Sequence, residues 1–254
     1  MKGSASTDRG FLDAWMSGEA AAAATNVWIY RERDGMREIV LPAVKQVVLD
    51  HLIGLDVIER IGGYDKALAF IRNRLPTDKK IRSADFGEIM AAEYVDQLTE
   101  FYVPLKKLRY SDDRSVAMRG DDVVGIRTEK AGHHLMKVEA KSHASLSSTT
   151  VKSASAALMK YSGRPNPATL AFLSNQLRLL GKDAEAEIIE AIQSSDIKDS
   201  CIEHLVFTCS ANEPVTALSA HATSPNPKIK RVLVGVVVVD HQALIQSIFE
   251  MLHG

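Results

Sequence analysis

The fold turns on Arg119-Gly120-Asp121-Asp122-Val123-Val124-Gly125 and, further on, Lys137-Val138-Glu139-Ala140-Lys141. The first stretch sets an acid directly ahead of an apolar run. The second alternates apolar residues with charged ones. Both read as β-strands, Asp122 to Thr128 and Leu135 to Ala140, joined as a hairpin by Glu129-Lys130-Ala131-Gly132. Successive strand side chains point to opposite faces, so Glu139 and Lys141 share one face, opposite Val138 and Ala140. An antiparallel partner strand brings Asp122 close to both.

Upstream, apolar residues at helical spacing (Phe86, Ile89, Met90, Tyr94, Leu98) predict a long helix beginning near Ser83, with Ser83 as its N-cap. Asp85-Phe86-Gly87-Glu88 then aims the Glu88 carboxylate at the same pocket. Val103 to Tyr110 is expected as a further strand. Downstream, a Ser/Thr-rich loop leads to a helix over Thr150–Tyr161, stopped by Gly163-Arg164-Pro165. Two helices, Ala168–Leu180 and Ala184–Ile192, read as an insertion near 165–195. Strands follow at His204–Cys209 and Lys230–Val239, then a last helix at His241–Leu252. This order predicts an α/β fold, a mixed central sheet flanked by helices.

Ahead of this core, residues 1–10 are polar and are expected to be disordered. Met36–Glu59 carries Ile39, Val40, Ala43, Val47, Val48, Leu52 and Leu55 at helical spacing, with Pro42 starting or kinking the helix. After a break at Gly62-Gly63, a short helix runs from Tyr64 to Leu75 and Pro76 ends it. The expected organisation is an N-terminal helical accessory region, 1–78, followed by the main domain, 79–254.

The 254 residues are 46% hydrophobic and 25% charged, with a formal net charge of −1, which is ordinary globular composition. Free-standing nucleic-acid-binding modules are usually strongly basic, so binding of that kind needs a local basic patch or a partner. No apolar run approaches the roughly 20 residues of a membrane span, and no secretory signal is evident. Two cysteines, Cys201 and Cys209, fit a reduced cytoplasmic location and read as buried small hydrophobes. The sequence lacks a GxxxxGK[ST] phosphate loop, a GxGxxG turn, a GxSxG elbow and a CxxC pair. ATPase, dehydrogenase and serine hydrolase chemistry on this chain all lose support, and no nucleotide cofactor is expected.

The charged residues do suit phosphodiester hydrolysis, which needs a divalent cation, an activated water and stabilisation of charge on phosphoryl oxygens. Carboxylates at the mouth of a sheet offer the oxygen ligands that Mg²⁺ prefers, and a lysine beside them orients water or neutralises developing charge. Glu88, Asp122 and Glu139 are the expected metal ligands, with Mn²⁺ as a substitute for Mg²⁺. Lys141 completes the catalytic set.

An acid opening one strand, acid-x-Lys on the next and a helix Glu ahead of both is the pattern of the PD-(D/E)xK nucleases. Within that group, Ser83-Ala84-Asp85-Phe86-Gly87-Glu88, Leu105-Lys106-Lys107-Leu108-Arg109-Tyr110, the Gly120–Gly125 run and Val138-Glu139-Ala140-Lys141-Ser142 resemble the HamA family. Those proteins are the nuclease subunits of Hachiman antiphage defence systems. The resemblance covers roughly 82–162 and extends to the C-terminal strands; the first seventy residues match nothing specific. It implies a restriction-endonuclease-like core that degrades DNA and a helicase partner, HamB, that restrains it. It also implies that Asp122 and Glu139 ligate the metal, Glu88 assists directly or through water, and Lys141 acts on water or phosphate. The pattern leaves the choice between Asp121 and Asp122 open; the Gly-x-Asp-apolar setting favours Asp122.

Plainer readings stand beside these. Glu139 and Lys141 also suit a solvated strand face, Asp121 a turn, and Glu88 a first-turn helix residue. His133-His134 and His143 read as turn and loop residues. Lys106, Lys107 and Arg109, like Lys228, Lys230 and Arg231, suit either DNA backbone contact or edge-strand protection. Ser145–Thr150 reads as a cap or a phosphate-friendly loop. Two rival functions remain: a catalytically degenerate nuclease fold serving as a DNA sensor or scaffold, and a restriction or repair nuclease of another branch.

Overall fold

The computed structural model describes residues 10–22, 24–61, 64–111, 120–130, 132–194 and 197–253. The expected disorder of the first residues, the Gly62-Gly63 break and Ala131 of the hairpin turn lie outside them, as does Arg119.

A short helix α1 (Phe11–Trp15) leads into strands β1 (Met16–Ala21) and β2 (Ala24–Glu32), followed by helices α2 (Met36–Leu52), α3 (Leu55–Arg60) and α4 (Tyr64–Arg74). Helix α5 (Lys79–Leu98) precedes β3 (Val123–Glu129) and β4 (Gly132–His143). Helices α6 (Ser148–Leu158), α7 (Pro167–Leu179) and α8 (Asp183–Ser194) come next, then β5 (Ile202–Ser210), α9 (Val215–Ser219), β6 (Lys230–Val237) and α10 (His241–His253). The strands form one six-stranded mixed sheet in the order β1-β2-β6-β5-β4-β3. β4, β5, β6 and β2 run parallel, while β3 and β1 are antiparallel edges. The α/β class with helices flanking a mixed sheet is thus as the sequence predicts.

Three apolar clusters hold the layers. On one face α2, α5 and α10 cover Met136, Val138, Phe207 and Val234. On the other, α6 and α9 cover Val27, Val206 and Leu233. The α7–α8 pair packs its own stripe against Val124, Ile126 and Leu135 near the β3 edge. β5 is buried along its whole length because it is central and covered on both faces.

Three expectations need correction. The N-terminal region is not purely helical, since β1 and β2 add two strands to the sheet and Val27–Arg31 pair in parallel with Leu233–Val237. Leu12 and Trp15 share a core with Phe86, Val138 and Phe249, so residues on both sides of position 79 contribute to one apolar cluster. The residues 103–110 do not make a strand. Tyr102 forms an isolated bridge to Ile126, Pro104 has no N–H to continue a ladder, and Lys107–Tyr110 close into a 3-10 turn. Finally, α5 starts four residues before Ser83. Asp78 is the N-cap, its carboxylate accepting from the N–H groups of Lys80 and Ile81 at 2.8 and 3.1 Å. Ser83 lies inside the helix and donates to the Ser142 carbonyl at 2.9 Å.

Candidate active site

Where β3 begins and β4 ends, these two strands and α5 converge. The register Val123↔Val138 sets Asp122, just ahead of β3, across from Glu139. Met136, Val138 and Ala140 pack toward α5. Alternation therefore turns Lys137, Glu139 and Lys141 to the opposite face. Glu88 reaches the same end from α5, whose close approach depends on Gly87: a Cβ there would meet the Ser142 Cβ at 2.8 Å.

The structure joins Asp122 to the Glu139–Lys141 pair and sets Glu88 near enough to act on Asp122 and Lys141 through its charge. The Asp122 Oδ2 accepts from the Ala140 N–H at 2.8 Å, and the Lys141 Nζ sits 2.6 Å from the Glu139 Oε1. Glu88 is 14% exposed and Glu139 15% at the side chain, so both acids sit in a protected setting. Burial, with repulsion from Asp122 and Asp85, pushes the Glu88 carboxyl well above its usual range against the pull of Lys107. Burial likewise raises Asp122, with Asp121 adding repulsion while Lys107, the Ala140 N–H and Lys141 oppose it. Glu139 is raised by burial and by Asp122, opposed by Lys141. Lys141 keeps its proton more tightly than usual despite burial, because Glu139, Asp122 and Glu88 surround it. Several carboxyls raised at one place, with a lysine among them, is the electrostatic pattern of a functional site.

The two neighbouring aspartates part company. Asp121 is 6% exposed and turns away from this group. Its carboxylate accepts from the Asn166 N–H at 2.6 Å, at the start of α7, and faces the Lys137 Nζ at 3.5 Å. Its own N–H donates to the Thr169 Oγ1 at 3.0 Å. Gly120 makes that approach possible: its φ is 109°, and a Cβ would stand 2.4 Å from the same hydroxyl oxygen. Asp121 is thus an anchor between the hairpin and α7 and not merely a turn residue.

Sequence reasoning gave Lys107 to a basic edge suited to DNA backbone contact or edge protection and missed its place beside Glu88. Lys107 is 8% exposed, donates to the Asp121 carbonyl at 2.7 Å and lies 3.5 Å from the Glu88 Oε2. A lysine in a basic run reads as solvated, so no local signal marks it. Its neighbours Lys106 and Arg109 both ion-pair with Asp50 of α2. That basic stretch is therefore engaged within the molecule. Lys230 pairs with Glu203 at 2.9 Å, and Arg231 is buried. His133 and His134 pair locally, with Thr128 and Glu129. Ser147 caps α6 by accepting from the Thr150 N–H at 3.2 Å.

A groove of about 450 Å³ opens beside Lys141, lined by Lys79, Lys80, Ser83, Lys141, His143 and Gln242. A second, smaller pocket of about 20 Å³ lies between Glu88, Lys107, Asp121, Asp122 and Thr169. The all-oxygen donor set of Glu88, Asp122 and Glu139 suits a hard cation in kind. Its arrangement is closed, however: among the described residues no three His, Cys, Asp or Glu side chains stand together so as to hold one ion. Lys141 takes Glu139, and Lys107 faces Glu88.

Comparison with known proteins bears on this arrangement. A family model described as HamA matches residues 32–252. A curated protein of Bacillus cereus, named "Hachiman protein HamA", is 27% identical over 179 residues. The match covers 69% of this chain and 62% of that relative, so the chain spans about three fifths of the relative's length.

Proposed function

Because this chain belongs to the HamA family, we propose that it is a metal-dependent DNA nuclease, the effector subunit of an antiphage defence complex, restrained and released by a partner helicase. The carrying observation is the meeting of Asp122 with the Glu139–Lys141 pair, Asp122 being hydrogen-bonded to the peptide N–H of the residue between them. A PD-(D/E)xK core is the reading that accounts for an acid before one strand and acid-x-Lys at the end of its neighbour. The name of the Bacillus cereus relative, Hachiman protein HamA, supports the defence role.

In this reading Asp122 and Glu139 would hold Mg²⁺ or Mn²⁺, assisted by Glu88, and the ion when bound supplies a polarised phosphoryl oxygen and an acidified water. Lys141 keeps its ammonium charged beside the scissile phosphate and stabilises negative charge there. The groove carrying Lys79, Lys80 and Lys141 gives a phosphodiester strand a cationic wall leading to the acids. With a net charge of −1 on the whole chain, the remaining DNA affinity comes from the partner.

The test is cleavage of linear and plasmid DNA with and without the helicase, ATP and Mg²⁺. Metal-dependent degradation that disappears in the Glu139→Ala/Lys141→Ala double variant, with folding and helicase binding intact, supports the reading; undiminished cleavage by the double variant defeats it. The lysine-closed acids favour one rival, a catalytically degenerate fold that senses DNA. For that rival, Mg²⁺ leaves the thermal midpoint unchanged and no DNA is cut under any condition.

A further inference from the structure

Lys107 stands outside the acid-x-Lys pattern, yet it lies against Glu88 and the backbone just ahead of Asp122. Its side chain is 7% exposed, and its Nζ lies 3.5 Å from Glu88 and 2.7 Å from the Asp121 carbonyl. Buried ammonium groups persist only where counter-charges surround them. Buried carboxylates close together repel unless a cation stands between them. Lys107 answers both requirements, and of the charges acting on Glu88 and Asp122 its own is the largest.

The mounting of Lys107 is equally specific. It sits on the 3-10 turn Lys107–Tyr110, and the residues on either side of it in sequence and along that turn, Lys106 and Arg109, both ion-pair with Asp50 near the end of α2. Lys106 also lies 3.7 Å from Glu93, whose carboxylate accepts from the His51 Nε2 at 2.7 Å. The turn is thus latched to α2 through Lys106 and Arg109 and to α4 through Arg74, which donates to the Arg109 and Ser111 carbonyls, while Lys107 itself reaches the Asp121 carbonyl ahead of β3. The small pocket of about 20 Å³ beside Lys107, Glu88 and Asp122 has room for about one water.

We propose that Lys107 is a resident counter-ion that holds the acids in a closed arrangement, and that withdrawing its turn from the site opens them to a divalent cation. The ammonium and the cation compete for one place, and the Asp50 latch sets the balance. This rests on the nuclease reading and adds its regulation: whatever shifts α2 shifts Lys107.

The test is a Mn²⁺ titration, followed by the electron paramagnetic resonance signal of the free ion, on the full chain and on Lys107→Met, Lys107→Arg and Asp50→Asn. Lys107→Met should bind Mn²⁺ about tenfold more tightly or better, and its thermal midpoint should rise more on adding Mn²⁺ than that of the unaltered chain. Lys107→Arg, which keeps the charge, should stay weak. Asp50→Asn, which loosens the latch without touching the acids, should fall between. Equal or weaker Mn²⁺ binding by Lys107→Met overturns the proposal; should that variant not fold, unchanged binding by Asp50→Asn overturns it. If the unaltered chain still cuts DNA with Mg²⁺ in that case, the nuclease reading survives alone. If no variant binds Mn²⁺ and the unaltered chain never cuts, both fall.

Discussion

The carboxylate of Asp122 accepts a 2.8 Å hydrogen bond from the backbone N–H of Ala140. Ala140 lies between Glu139 and Lys141, so one bond ties the acid ahead of β3 to the charged pair on β4. Asp122→Asn keeps an oxygen able to accept that bond while removing the charge. The variant should fold with an unchanged circular-dichroism spectrum and lose DNA cleavage by about 100-fold or more, the usual scale for deleting a charge from such a site. Cleavage within a few-fold of the unaltered chain would count against Asp122.

Glu88 gives a pH signature. Burial raises its carboxyl in the folded chain above the ordinary value of 4.5. Its contribution to stability is therefore fully present below that ordinary value and is lost as pH rises through the raised folded value. Glu88→Gln does not titrate, so it should be the more stable form near pH 7, by roughly 2–4 °C in thermal midpoint for each 1 kcal/mol. The difference should vanish below about pH 4. A variant less stable than the parent at every pH would show that the Lys107 attraction outweighs burial.

Gly87 lets α5 lie against β4, since a methyl group there would meet the Ser142 Cβ at 2.8 Å. Gly87→Ala should cost about 1–3 kcal/mol as the helix is pushed off the sheet. Because Glu88 is the next residue, cleavage should fall further than the stability loss explains. Urea melts paired with cleavage rates on the folded fraction separate the two effects.

His204 offers an independent check on burial. It is fully buried on β5, its Nε2 lies 2.7 Å from the Gly163 carbonyl, and its Nδ1 has no partner. Burial, reinforced by Arg231 and Lys137 and opposed by that carbonyl, pushes its pKa down to about 4 from 6.5. Here the stability is present above about pH 6.5 and is lost as pH falls toward 4. His204→Gln retains an N–H for Gly163 and removes the titration. Its unfolding free energy should decline less than that of the parent over this interval, by about 3 kcal/mol. Parallel pH profiles for the two proteins would contradict the assignment.

Local pattern carried far in this chain where a segment's burial is repeated along it. The hairpin of β3 and β4, helices α5 to α8 and α10, and strands β5 and β6 all announce themselves by apolar periodicity within one or two turns of their observed bounds. Strands β1 and β2 were not read from the sequence: Val27-Trp28-Ile29-Tyr30 is a short run beside the Ala-rich β1 and gives no long periodic signal. What makes β2 a strand is its parallel pairing with β6, about two hundred residues away. In the opposite sense, residues 103–110 have strand-like composition yet turn inward, because Lys107 is drawn to Glu88 and the Asp121 carbonyl.

The candidate site divides in the same way. Residue types at fixed spacing sufficed to single out Glu88, Asp122, Glu139 and Lys141, because alternation along a strand and the pitch of a helix are local geometry. Those rules favoured Asp122 but did not show what Asp121 anchors, and they set Lys107 on a basic strand edge and not against Glu88. Those outcomes depend on which groups meet across elements far apart in sequence: Asp121 on Asn166, Asp122 on Ala140, Lys107 on Glu88. A charge leaves water only where the assembled fold offers it a partner. The sequence alone therefore determined which acids and lysines were available, and tertiary packing decided how they pair.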